Sequence, residues 1–118
     1  MKAAVNTSAI SEYSSSLLVG LREGFEHSIL AWQTTSDNMP TIWVDRQDLM
    51  SILMYLRDKT EPRFEMLFDI TAIDERVRVH RQGQPESEFS VVYHLMSFSG
   101  NRDFRIKVPL MDDDLNIP

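Results

Sequence analysis

Apolar positions along the chain recur at helical spacing in two places and at strand spacing in five. Leu17, Leu18, Leu21 and Phe25 follow Ser14, Ser15 and Ser16, which can cap free amide groups, and Gly24 suits a left-handed C-terminal position. This predicts a first helix. From 28 to 35, Leu30, Trp32 and Thr34 share one face; Asp37, Asn38, Met39 and Pro40 supply a turn, and Ile42, Trp43 and Val44 a second strand, so the pair is expected as a hairpin. Asp45 is a good N-cap for a second helix, on which Leu49, Ile52, Leu53 and Leu56 form an apolar stripe broadened by Met50 and Met54. Arg57 and Lys59 suit its negative end, and Pro62 prevents its continuation.

A third strand places Met66, Phe68, Ile70 and Ala72 on one face, after which the apolar phase moves to Ile73, Val77 and Val79. Such a shift predicts a β-bulge or bend over 72–75. Residues 82–87 link it to the last two strands, which are rich in β-branched and aromatic residues and separated by Gly100 and Asn101, the pattern of an antiparallel hairpin. In the final strand Phe104, Ile106 and Val108 alternate with Arg105 and Lys107, so one face packs on a core while the other meets water or a partner. The order α-β-β-α-β-β-β predicts an α+β fold, a two-layer sandwich whose mostly antiparallel or mixed sheet carries both helices on one face. A loose, serine-rich segment is expected over 1–15, a single domain over 16–118, and an exposed tail from Asp112, Asp113 and Asp114 onward.

At 118 residues one domain buries about two thirds of its unfolded surface and needs no covalent staple. The absence of cysteine excludes disulfides, thiolate metal sites and Fe–S ligation within this chain. A formal charge of −6 argues against a nucleic-acid surface, and the run of Arg76, Arg78, His80 and Arg81 is too short to overturn that. No apolar run approaches the roughly 18 residues a membrane-spanning helix needs, so membrane association is expected only through partners.

Three stretches resemble one family. Phe89-Ser90-Val91-Val92-Tyr93-His94-Leu95-Met96-Ser97, then Arg105-Ile106-Lys107-Val108-Pro109-Leu110 with Asp112 and Asp113, and upstream Met66-Leu67-Phe68-Asp69-Ile70-Thr71-Ala72-Ile73-Asp74, are similar to the C-type subunit of proton-pumping NADH-quinone oxidoreductase, the thirty-kilodalton-type subunit of respiratory complex I. A weaker likeness runs from Leu21 through Trp43, and Asp74-Glu75-Arg76 look closest to the form in which the C and D subunits are fused. Family members continue into a Glu-Arg-Glu-type signature, whereas this sequence ends at Asn116-Ile117-Pro118, so an excised N-terminal domain is expected. The resemblance implies a subunit without redox cofactor, docked on the D and B subunits at the cytoplasmic side of the bacterial inner membrane. NADH, flavin, Fe–S clusters and quinone then belong to partner subunits. It also implies that the excised domain can dimerise through an orphaned docking face. The equivalent subunit of a membrane-bound nickel-iron hydrogenase shares this domain and is the nearest alternative.

Beside the resemblance, the residues offer little chemistry. A hairpin centred near Gln84 would set Asp74 opposite His94, and a paired carboxylate could orient that imidazole as a general base in a free-standing enzyme or ligand-binding module. A half-buried histidine bonded for packing is the favoured reading, because no Ser or Cys nucleophile stands in a recognisable motif nearby. His80 and His94 with Asp74 or Glu75 lack the close donor spacing of a zinc site, and His27 has no partner in sequence. The glycines at 20, 24, 83 and 100 form neither a phosphate loop nor a dinucleotide fingerprint. Trp32 and Trp43 read as core. No catalytic, cofactor or metal residue is expected. Arg76, Arg78, Arg105 and Lys107, with Tyr93 and His94 beside them, are the candidates for a docking face toward an acidic partner.

Overall fold

A computed structural model of the protein describes residues 12–33, 35–77, 83–111 and 113–117. Helix α1 spans Glu12–Phe25; strands β1 (Ile29–Gln33) and β2 (Thr41–Val44) follow, then helix α2 (Leu49–Asp58) and strands β3 (Met66–Asp74), β4 (Phe89–Ser97) and β5 (Arg102–Leu110). The α+β order expected from the sequence is the order found. The five strands form one mixed sheet in the order β1-β2-β5-β4-β3, with β2 and β5 parallel and every other pair antiparallel.

Alternation along the strands sorts the sheet into two faces. Ile42 and Val44 of β2, Tyr93 and Leu95 of β4, and Phe104, Ile106, Val108 and Leu110 of β5 join Leu17 and Leu21 of α1 and Leu49, Ile52 and Leu56 of α2 in a single core. Both helices therefore cover the same face. Asp45 accepts a hydrogen bond from the backbone N–H of Gln47 at 2.8 Å, but the turn it caps is 3₁₀, and the α-helix begins only at Leu49. The Lys59 N–H donates to the Tyr55 carbonyl at 2.8 Å, closing the helix ahead of Pro62.

Several local expectations are corrected. Helix α1 starts at Glu12, so Ser14, Ser15 and Ser16 lie inside it rather than capping it, and Gly24 lies in its last turn. Among the described glycines only Gly83 has a positive φ, so Gly24 is not a left-handed cap. In β1 the register shifts between Ile29 and Ala31, and the phase turns over at Leu30. Ile29 and Trp32 consequently pack against the core while Leu30 is exposed. The bulge in β3 falls between Leu67 and Asp69 rather than over 72–75, and Val77 stands in an exposed turn after the strand; Val79 lies outside the described residues. The acidic tail folds back: Asp114 pairs with Arg46, Met111 bridges to Asp114, and Ile117 packs against the core.

The β4–β5 hairpin turns through residues 98–101. Asn101 takes a left-handed φ of 53°, which its short polar side chain tolerates. Gly100 is needed for close approach, since a Cβ there would lie 2.2 Å from Pro62 Cγ. No described helix is long and apolar enough to cross a membrane.

Candidate docking surface

Arg105 and Lys107 leave β5 on the face opposite the helices, and neither is a free cation. The Arg105 Nη2 lies 2.8 Å from Asp37 Oδ2, and its Nη1 donates to Thr41 Oγ1 at 3.4 Å. The Thr35 hydroxyl, the Arg105 guanidinium and the Met39 N–H together hold the Asp37 carboxyl well below the usual carboxylate range. Lys107 is only 5% exposed, with its Nζ 5.3 Å from the centre of the Trp43 ring, whose Nε1 donates to Gln33 Oε1 at 2.7 Å. The lysine stem is packed against an aromatic plane, as long cationic side chains permit.

His94 is paired across the sheet with Arg105 on one side and Asp69 on the other. Its ring meets Phe68 edge-on at 5.1 Å, and its Nε2 lies 3.4 Å from Asp103 Oδ1. Asp74 is elsewhere. The ladder pairs it with Phe89, five positions from His94 along β4, roughly 16 Å at the rise of a strand. The hairpin centre sits nearer the start of the loop than the sequence suggested, so the Asp74–His94 dyad does not form. Asp74 instead receives Arg76 Nε at 2.9 Å and Nη2 at 2.8 Å, which with the Arg76 N–H lowers its pKa to about 2. Arg76 also stacks 4.8 Å over the Phe89 ring.

The remaining candidates divide. Tyr93 is 5% exposed and belongs to the core under the helices, where burial raises its phenol pKa, so it is not offered to a partner. Arg78 and His80 lie outside the described residues. Arg76 and Arg105 are separated along the sheet and each is held by a carboxylate, so the described part of the basic face is a set of paired charges rather than one open stripe. Among the described residues no group of three or more His, Cys, Asp or Glu side chains is arranged to hold a metal ion. Glu75, considered above for metal ligation, is 2% exposed and accepts the Ser90 hydroxyl at 2.5 Å. An open cavity of about 390 Å³ lies where the tail crosses the start of α2, and its Arg46 is engaged by Asp114 and by the Asn116 carbonyl at 3.1 Å.

Sequence reasoning missed the most prominent surface feature. Strand β3 ends the sheet, and all its residues except the half-buried Ile73 are exposed. The ladder places Ile70 beside Tyr93 and Leu67 beside Leu95 on the helix side, yet they remain 51% and 46% exposed because neither helix reaches over this strand. Phe68 and Met66 are exposed on the other side, and Phe98 in the adjacent turn, whose N–H donates to Glu65 at 2.9 Å, extends the apolar surface. An uncovered apolar edge of this kind marks an interaction site. The signal was present in the consecutive Met66, Leu67 and Phe68 followed by Ile70 and Ile73, which make both faces apolar.

A family described as respiratory-chain NADH dehydrogenase, 30 Kd subunit, matches residues 42–118. The chain is 57% identical over 86 residues to the C/D subunit of NADH-quinone oxidoreductase from Psychrobacter arcticus, a match covering 73% of this chain and 14% of that protein. The same-named protein of Acidiphilium cryptum is 54% identical over 85 residues, covering 72% of this chain and 14% of that protein. That of Proteus mirabilis is 44% identical over 98 residues, covering 83% and 16%. The chain thus spans only about one seventh of the length of these relatives.

Proposed function

This chain belongs to the respiratory-chain NADH dehydrogenase 30 kDa subunit family, and from that premise we propose that it is a non-catalytic docking domain of the peripheral arm of NADH-quinone oxidoreductase. It supports electron transfer from NADH to quinone by holding the subunits that carry the chemistry. The observation that carries this reading is the uncovered apolar strand β3. A strand with Leu67 and Ile70 exposed on one face, and Met66 and Phe68 on the other, is costly to leave in water and is relieved by a permanent partner.

The partners proposed are the D subunit, because the relatives' names join C and D, and the B subunit beside it. NADH, flavin, Fe–S clusters and quinone are assigned to partner subunits, and the cysteine-free chain offers no thiolate for a cluster. Attachment at the cytoplasmic side of the inner membrane, for a translocase of the respiratory chain, is then indirect. A permanent contact of this class buries more than about 2,000 Å².

Co-expression of the tagged chain with the D and B subunits from the same genome tests the reading. A complex that survives gel filtration at micromolar concentration is expected. Elution of the chain by itself, with D and B assembling without it, would overturn the proposal.

A further inference from the structure

Strand β3 combines three properties that together specify how a partner attaches and what that partner looks like. The first is an open hydrogen-bonding edge. In the order β1-β2-β5-β4-β3, β3 has β4 as its one neighbour among the described residues, and no described strand lies along its far side, where an added strand would pair. The bulge between Leu67 and Asp69 interrupts only the first part, and residues 69–74 keep a regular register with β4. Protein edges are commonly blunted by lysine or proline, and neither occurs in this strand.

The second property is apolar side chains flanking that edge. Ile70 and Ala72 project on the helix side and Thr71 and the half-buried Ile73 on the other, with Phe68 and Leu67 extending both rims. An added strand would bury its own apolar residues against these.

The third is charge. Between Glu65 and Asp74 the chain carries three carboxylates, Glu65, Asp69 and Asp74, and no basic residue. Asp74 is shared with Arg76, while Glu65 and Asp69 have no ion pair among the described residues. A lysine or arginine on an added strand would meet these carboxylates.

We propose that β3 is a strand-addition site whose occupant is an extended apolar segment of a partner polypeptide, bearing lysine or arginine at two positions five residues apart that face Asp69 and Asp74. This rests on the docking reading above and deepens it by naming the partner's local chemistry and the mode of contact.

The test uses the whole chain and two end-blocked hexapeptides, Lys-Thr-Val-Thr-Val-Lys and Glu-Thr-Val-Thr-Val-Glu, followed by residue-resolved amide exchange at low salt. The lysine peptide should slow exchange in residues 69–74 and half-saturate at a concentration at least fivefold below that of the glutamate peptide. Exchange in β1, the other edge, should be unchanged. The double variant Asp69→Lys/Asp74→Lys, altered only at exposed positions, should reverse the preference. Equal binding of both peptides, protection elsewhere than β3, or no protection at millimolar peptide would overturn the proposal. So would protection of β3 that rises with chain concentration in the absence of peptide, which would identify a second copy as the occupant. The assay needs no other subunit, so its failure is distinguishable from failure of the co-purification experiment.

Discussion

Ile70 and Ile106 are chemically identical and lie on the same side of the same sheet, two strands apart, yet one is 51% exposed on β3 and the other is fully buried on β5 between Tyr93 and Ile42. Truncation to alanine removes three carbons at each site. At Ile106 the loss of transfer energy plus the cavity left behind should cost about 2–5 kcal/mol. At Ile70 only about half of that surface is out of water and no closed cavity forms, so at about 0.8 kcal/mol per buried carbon the cost is about 1.2 kcal/mol. The intrinsic strand preference lost is of the same kind at both positions and largely cancels in the comparison.

Urea unfolding followed by circular dichroism reads the difference. With a denaturant slope of about 1.5 kcal/mol per molar, Ile106→Ala should lower the midpoint by about 2 M and Ile70→Ala by about 0.8 M. Should Ile106→Ala fail to accumulate folded, the valine pair gives the same contrast on a smaller scale, about 1 kcal/mol at 106 against about 0.4 kcal/mol at 70. Equal losses at the two positions would refute the reasoning, because they would mean that β3 is covered in the folded chain and is not an open edge.

Other consequences are open to the same instruments. The Asp37 carboxyl, held low by Thr35, Arg105 and the Met39 N–H, and those of Asp74 and Asp114, both at about 2, are depressed in the fold. Their stabilisation is complete above the unfolded carboxylate value near 4 and is lost as pH falls from about 4 through the folded values; Asp37→Asn should therefore flatten the dependence of the urea midpoint on pH below about 4. Lys107→Ala should cost about 2 kcal/mol through lost stem packing and the contact with Trp43, whereas Lys107→Met should recover at least half by keeping the stem. Two wild-type midpoints would contradict that. Gly100→Ala drives a Cβ into Pro62 and should destabilise by about 1–3 kcal/mol, seen as a lowered melting temperature; an unchanged value would show that the turn relaxes freely.

Helix α2 and strands β4 and β5 were legible from sequence because local pattern and tertiary burial agree there: Leu49, Ile52 and Leu56, and Phe104, Ile106 and Val108, are on the expected stripes and fully or almost fully buried. Strand β3 was legible as a strand but not as an edge. Periodicity reports which residues share a face, and it is silent on whether a helix lies over that face. The bulge between Leu67 and Asp69 also splits the expected face of Met66, Phe68, Ile70 and Ala72, so that Ile70 joins Leu67 on the helix side, where both remain open. The Asp74–His94 pairing failed for another reason, since the register of a long hairpin depends on where its loop begins, and a shift of the centre moves every partner along the ladder. Arg105 and Lys107 were placed on the correct strand and face, but their partners Asp37 and Trp43 come from distant segments that no local pattern connects to them.

Amide exchange across residues 66–74, measured in the free chain and in its assembly with the D and B subunits, tests the central claim most directly. The account predicts fast exchange at the outward-facing β3 amides of the free chain, slowed at least tenfold on assembly, with the central β5 amides protected throughout. Fast β3 exchange within an intact assembly, or full protection already in the free chain, would contradict it.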